Sequence, residues 1–432
     1  MVDRQPSKRG VQTTVAFFLR HPCCNSHSNQ MDQCCSLQKK FLLLRTSQTY
    51  SSEFDCSLKC SDISPLTNIS TDNNTPSESC PEYFKWIHED LRPWKDTGIT
   101  KEMVEKAKEK ADINIVIVNG RLYTEKFNEV FQTRDAVTIW GILQLLRLYP
   151  GKLPDVDIMF QCGDKPVINK HDYGRSKALY PPPPMFHYCG DDSSFDIVFP
   201  DWSFWGWPEL NIKPWEILKE DMQEGNSRIK WSDREPYAYW KGNAYLSYAR
   251  RDLLKCNASK WNTRIDKVDW VHEKRTWIQN FRFSKPVHSQ IQNLRRRSFV
   301  VFEWGNKHMN KAQEIGKTGS KYVQEQLRLK YVYDYMFHLL NEYSKLMKYK
   351  PTVPKGAVEV CSETMVCSVK GSRKKFRKHS MVKDPADSSP CTMPSSYYPT
   401  ELEEFLERKK NLTKQVRMWE ESESIEIATL KI

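Results

Sequence analysis

Apolar residues recur with two periods between residues 80 and 350, and the changes of period divide the chain into elements. In "CPEYFKWIHEDLRPW", Phe84, Ile87, His88 and Leu91 keep helical spacing, and Thr100 is placed to cap a helix over Lys101 to Lys110. Ile115 to Val118, then Asn119-Gly120, then Arg121 to Tyr123 predicts a β-hairpin. Thr133 opens a helix that runs through Tyr149, where Pro150-Gly151 stops it. "DVDIMFQC" predicts a buried strand with Asp164 just beyond its carboxyl end. A rigid loop at Pro181 to Pro184 leads into a strand at "FDIVFP", and Asn211 to Glu224 reads as a helix. Tyr237 to Trp240 reads as a strand, Gly242-Asn243 as a turn, and the next helix carries Arg250 and Arg251. Val332, Tyr335, Met336, Leu339, Leu340, Tyr343, Leu346 and Met347 form the apolar stripe of a long helix. Alternating strand and helix signals argue for an α/β fold with a parallel sheet, whose ligands bind outside the carboxyl ends of the strands.

Outside that region the pattern weakens. Residues 1–79 are rich in Ser, Asn, Thr and Cys without sustained periodicity and read as a disordered leader. After Pro351 the chain reads as irregular and basic, with one amphipathic helix near Leu402 to Lys410. A length of 432 residues allows two domains, or one large α/β body with tails. The net charge of +12 would suit an anionic partner, but the 66 basic residues are interleaved with 54 acidic ones. Only Arg295 to Arg297 and Arg373 to Lys378 form basic runs, so no nucleic-acid partner is expected. No stretch reaches the ~18 apolar residues of a membrane span, and no signal peptide is visible.

Thirteen cysteines, seven of them before residue 81, show no zinc-type spacing. Four Asn-x-Ser/Thr sequons, at Asn68, Asn73, Asn257 and Asn411, leave the compartment open. Asp155-Val156-Asp157 imitates a metal-binding DxD, but it starts a strand whose alternate residues face inward, and no metal is expected there. The unusual feature is "FDIVFPDWSFWGWPELNIKPW", residues 195–215, with Trp202, Trp205, Trp207 and Trp215 in fourteen positions. Each indole brings an N–H that needs a partner once buried. Such a cluster is either a surface that holds a ligand or a Trp-rich core.

Taken together, "CPEYFKWIHEDLRPW", "IVFPDWSFWGW", "NIKPWE", "REPYAYWKGN" and "YVYDYMFHLLNEYSKL" resemble glycosyltransferase family 90 in its plant form. This is the group of Rumi-like protein O-glucosyltransferases and capsule-associated xylosyltransferases. The resemblance covers roughly residues 80–270 and 304–395. It implies a GT-B-like α/β architecture, two Rossmann-like lobes with the donor between them. It also implies inverting transfer from a UDP-sugar to a hydroxyl of a protein or polysaccharide, without a cofactor, in the endoplasmic reticulum or Golgi lumen. The membrane anchor usual in the family is not visible in this chain. By resemblance, Asp164 in "QCGDKP" is the base, the competing reading being a loop-capping aspartate. Arg250, or its neighbour Arg251, would bind the diphosphate, and Asn243 would be a small polar donor-site residue or a turn residue. Phe199, Trp202, Ser203 and Trp205 would line the donor side of the cleft and Trp207 the acceptor side. Cys162 and Cys189, flanking the catalytic loop and the end of the proline run, are the disulfide candidates.

The resemblance breaks between about Val271 and Phe302, where the family has a nucleotide-cradling strand, turn and helix. The expected organisation is therefore a leader (1–79), an N-terminal α/β lobe (80–270), an incomplete C-terminal nucleotide-sugar lobe (271–350) and a basic tail (351–432). The alternative to a transferase is a non-catalytic carbohydrate-binding or scaffold remnant that keeps the Trp cleft.

Overall fold

The computed structural model describes residues 56–57, 59–62, 78–173, 181–233, 238–246, 250–251, 254, 263–267 and 308–429. Most of the expected leader, and the break at 271–302, lie outside the described residues. The described chain opens on two short helices, α1 (Lys85–Leu91) and α2 (Lys101–Ala107), the second capped by Thr100, whose hydroxyl accepts the Met103 N–H. β1 (Ile113–Val118) and β2 (Arg121–Lys126) form the expected hairpin. Asn119 and Gly120 both take positive φ, 52° and 71°, as a tight two-residue turn requires. α3 (Arg134–Leu148) follows, then β3 (Val156–Gln161).

β4 (Phe186–His187) and β5 (Ile197–Val198) are two residues each and extend the sheet in parallel to β3. The expected strand over "FDIVFP" is therefore shorter, ending where Pro200 has no N–H to give. α4 (Trp215–Arg228) starts four residues later than the pattern suggested, because Pro214 takes the N-cap position and Asn211 turns left-handed at φ 50°. β6 (Ala238–Gly242) and β7 (Thr263–Lys267) pair in parallel as a separate two-stranded sheet, with Trp240, Ala244 and Ile265 buried together. Beyond it come α5 (Met309–Gln326), α6 (Leu329–Leu346), β8 (Val358–Val360), α7 (Ser362–Cys367), α8 (Gly371–His379) and α9 (Pro399–Thr429).

The main sheet has the order β5-β4-β3-β1-β2-β8 and is mixed. Only β3, β4 and β5 run parallel; β1 is antiparallel to both neighbours and β8 to β2. The wholly parallel sheet expected from strand–helix alternation is corrected here, since a two-residue hairpin can join only antiparallel strands.

Two helices carry the core. α3 buries nearly its whole length, with Trp140 donating to the Ser380 hydroxyl (2.9 Å) and Gln144 bonding Ser362 and the Val382 N–H. α6 buries Tyr331, Val332, Met336, Leu339, Leu340 and Tyr343, as its stripe predicts. It also buries Asp334, whose carboxylate accepts bonds from the Tyr149 hydroxyl, Lys330 Nζ (2.7 Å) and the Cys391 N–H (3.1 Å). A buried carboxylate persists only when its oxygens are so occupied.

Two expectations about the ends of the chain change. The stretch 351–432 is not an irregular tail: it supplies β8 to the sheet, and α7 and α8 pack on the α3 side of the core through Ser362, Ser380 and Val382. Within the expected leader, Cys56 and Cys60 are bridged to Cys367 and Cys361; just past it, Cys80 is bridged to Cys391. Sequence alone does not pair thirteen cysteines. Among the described residues no helix is long and apolar enough to cross a membrane.

Candidate functional site

Asp164 stands on the loop that leaves β3, at the carboxyl end of the parallel strands. That loop is pinned on both sides. The Cys162 N–H donates to Asp112 Oδ2 (2.8 Å) and the Gly163 N–H to Gln161 Oε1 (2.7 Å). Downstream, the buried Asp196 carboxylate accepts the N–H groups of Val167 and Ile168 (2.9 Å for the latter). The Asp164 side chain between these anchors is 48% exposed. Its Oδ1 accepts from Arg134 Nη1 at 3.0 Å, and Oδ2 has no hydrogen-bond partner among the described residues.

Arg134 is 5% exposed, in the first turn of α3. The same Nη1 also donates to the Cys162 carbonyl (3.1 Å). Its guanidinium lies 4.5 Å from the Trp202 ring and 5.2 Å from that of Phe131, which is 58% exposed. Sequence reading missed Arg134, because a cation in a helix's first turn reads as solvated. Thr133 does not cap α3; its hydroxyl donates to the Glu209 carboxylate instead.

The tryptophans divide by the fate of their N–H groups. Trp205 donates to the Tyr333 hydroxyl (2.9 Å), and its ring lies so close to Gly141 that a Cβ there would fall 2.7 Å from it. Trp207 donates to Gln132 Oε1 (2.7 Å) and Trp215 to the Leu327 carbonyl. Trp202 alone of the four keeps a buried N–H without a partner, and it packs edge-on to Tyr188 and Trp207 beside Arg134. Phe199 is buried against Phe160 and Phe186. Ser203 is half-buried, its N–H taken by Asp201. Of the expected cleft residues, then, Phe199, Trp202, Trp205 and Trp207 are all buried in the core, and Trp202 is the one that touches Arg134 beside Asp164.

Arg250 and Asn243 are brought together. Arg250 Nη1 donates to the Asn243 carbonyl (3.4 Å), and Asn243 Oδ1 accepts the Tyr245 N–H (3.0 Å), a turn-closing bond. Burial lowers the pKa of the Arg250 guanidinium, and the Asp164 carboxylate opposes that shift, so the two charges act on each other. Arg251 is exposed.

The disulfide expected between Cys162 and Cys189 is not formed: both are free thiols, the first buried and the second half-buried. Cys162 lies in the apolar core, whereas Cys189 Sγ contacts His187 Nδ1 (3.4 Å) and the Asp164 carbonyl (3.6 Å). Burial pushes both thiols up to about 12. The DxD pair is engaged in the fold: Asp155 accepts the Asn119 N–H, and Asp157 accepts from Asn114 and the Tyr349 hydroxyl. Among the described residues one trio has metal-like spacing, Cys80, His338 and Cys391, but two of its members form a disulfide.

Two buried groups beside the loop titrate in opposite senses. Burial drives His187 down to about 4 and pushes Asp196 up to about 6. Unfolded His187 takes up a proton below about 6.5 that the folded form refuses, so stability is lost as pH falls through that window. Folded Asp196 keeps its proton up to about pH 6 while the unfolded carboxyl releases it near 4, so stability is lost as pH rises. Each effect is roughly 3 kcal/mol, and they offset. Urea melts of His187→Gln from pH 4 to 6.5 should therefore show stability falling relative to wild type as pH rises. A difference that stays flat would refute this.

Against this geometry, the sequence model described as "Glycosyl transferase family 90" matches residues 75–295 and 285–420. The chain belongs to glycosyl transferase family 90. The family match spans Asp164, Arg134, the Trp segment and Arg250, and its two segments meet at residues 285–295, inside the stretch where the motif pattern breaks. Protein O-glucosyltransferase 1 of Homo sapiens is 24% identical over 357 positions, covering 67% of this chain and 87% of its own length. That of Rattus norvegicus is 23% identical over 386 positions, covering 74% and 94%. O-glucosyltransferase rumi of Drosophila melanogaster is 23% identical over 342 positions, covering 64% and 80%. An alignment of 357 positions that takes in 67% of a 432-residue chain crosses gaps of several tens of positions on this chain's side.

Proposed function

We propose that this chain is an inverting glycosyltransferase that moves a glucosyl or xylosyl unit from a UDP-sugar to a hydroxyl of a protein or glycan. The observation that carries the reading is the Asp164 carboxylate, half exposed, with one oxygen fixed by Arg134 and the other without a partner among the described residues. Such a transfer needs a base for the acceptor proton, and cations or N–H donors for the departing diphosphate. Asp164 Oδ2 takes the proton as the acceptor oxygen attacks the anomeric carbon. The bond from that carbon to the diphosphate breaks on the opposite face, and UDP leaves with the electron pair. Arg250, held beside Asn243 and within the influence of Asp164, neutralises the leaving group. Trp202, buried beside Arg134, backs the Asp164 loop rather than presenting a sugar surface.

The names of the relatives favour glucose as donor sugar and protein as acceptor. Three disulfides support an oxidising compartment, the endoplasmic reticulum or Golgi lumen. The donor lobe is read as incomplete. That reading is supported by the two-segment family match and the gapped alignments.

Release of UDP from UDP-glucose and UDP-xylose, at high donor concentration, tests the activity. Asp164→Asn should lower turnover ~10²-fold or more while donor binding changes little. Near-normal turnover in that variant would return Asp164 to a loop-capping role.

A further inference from the structure

We infer that Arg134 is a positioning residue for this transfer, holding Oδ1 of Asp164 so that Oδ2 alone is left to take the acceptor proton. The inference rests on the reading of Asp164 as the base. A half-exposed aspartate on a loop has several rotamers of similar energy, and fixing one requires a partner that is itself fixed. Arg134 is fixed four ways. Its backbone belongs to α3, the most buried helix of the core. Its guanidinium is flanked by the rings of Phe131 and Trp202, a slot that suits a planar cation and not an ammonium. One nitrogen, Nη1, ties the Cys162 carbonyl and the Asp164 carboxylate together, so the carboxylate is indexed to the end of β3. Trp207, which packs against Trp202, bonds Gln132 next to Phe131 and so links the two walls of the slot.

A purely structural staple would make a different prediction. Exposed ion pairs are worth little, so joining a loop to a helix does not call for a guanidinium buried to this degree. Burying one is unfavourable unless it is paired, and here the pairing falls on the carboxylate assigned to the chemistry.

The test uses the full chain carrying Arg134→Lys or Arg134→Gln beside Asp164→Asn, each first checked for a cooperative melt. With UDP-glucose as donor, Arg134→Gln should lower kcat ~10–100-fold at a nearly unchanged donor KM, because misplacing a reacting group acts on the chemical step. Arg134→Lys, which keeps the charge without the plane, should fall between and carries the test if the glutamine variant does not fold. Millimolar guanidinium should restore part of the turnover of Arg134→Gln and none of that of Asp164→Asn. A second readout does not depend on turnover: carbodiimide and amine labelling of Asp164, mapped by peptide mass. Losing the charge-assisted bond should raise that labelling roughly tenfold in Arg134→Gln. Wild-type kcat in the folded Arg134 variants, or unchanged labelling of Asp164, would overturn the assignment. Normal turnover in Asp164→Asn would instead overturn the base, leaving the labelling result to speak for the ion pair.

Discussion

Reduction of the three disulfides should unfold the protein, whereas loss of one bridge of the Cys56–Cys367 and Cys60–Cys361 pair should be tolerated. The bridges join positions 301 or 311 residues apart, so any one of them alone closes almost the whole described chain into a loop. Chain-entropy reasoning gives about 5–6 kcal/mol for a first closure of that length. Once it is made, a second bridge closes only the short remainder between the two. For Cys60–Cys361 beside Cys56–Cys367 that remainder is roughly a dozen residues, worth about 3 kcal/mol; for Cys80–Cys391 it is roughly fifty, worth about 4 kcal/mol. Together the bridges supply roughly 12 kcal/mol, comparable with the ~5–15 kcal/mol total stability of ordinary domains. Urea melts of a Cys60→Ser, Cys361→Ser variant should thus show a loss near 3 kcal/mol. A loss near 6 would mean that the bridges act independently, and a fully reduced protein with a cooperative melt would refute the estimate altogether.

What the sequence disclosed and what it hid follow from the range of the interactions. The Asn119-Gly120 hairpin, the α3 helix and the α6 stripe rest on neighbours within a few residues, and each stands where its pattern placed it. The position of Asp164 was legible for the same reason, because a strand followed by a loop is a local feature. The tryptophans were harder. Their density suggested a ligand surface, but Trp205 and Trp215 found their N–H partners in Tyr333 and Leu327, more than a hundred residues away. No local pattern carries that information. Arg134 was hidden by the opposite effect: its sequence setting is that of a solvated helix start, and only the arrival of Phe131, Trp202 and Asp164 around it reveals a buried guanidinium. The C-terminal stretch looked irregular because β8 is three residues long, too short for a period, and is placed by pairing with β2.

Calorimetry with UDP should find weak binding by this chain, several orders of magnitude below that of a version in which the corresponding segment of a family 90 relative replaces residues 271–302. By the family resemblance, much of the contact to uridine and diphosphate comes from a strand, turn and helix in that stretch, where this sequence reads "VHEKRTWIQNFRFSKPVHSQIQNLRRRSFVVF". The proposed base is a separate matter, because Asp164 and the Arg134 that holds it are built by β3 and α3. Losing two or three hydrogen bonds to a charged ligand, at ~1.5–3 kcal/mol each, weakens affinity by a factor of ~10² at the least and ~10⁶ at the most. Arg250, the residue proposed to meet the diphosphate, is a single half-buried cation and would offset only part of that loss. Restoring the segment should recover affinity without altering the carbodiimide reactivity of Asp164, since the two regions are built from different elements. Micromolar binding by the unaltered chain would mean that residues 271–302 form a working substitute for the family's nucleotide cradle.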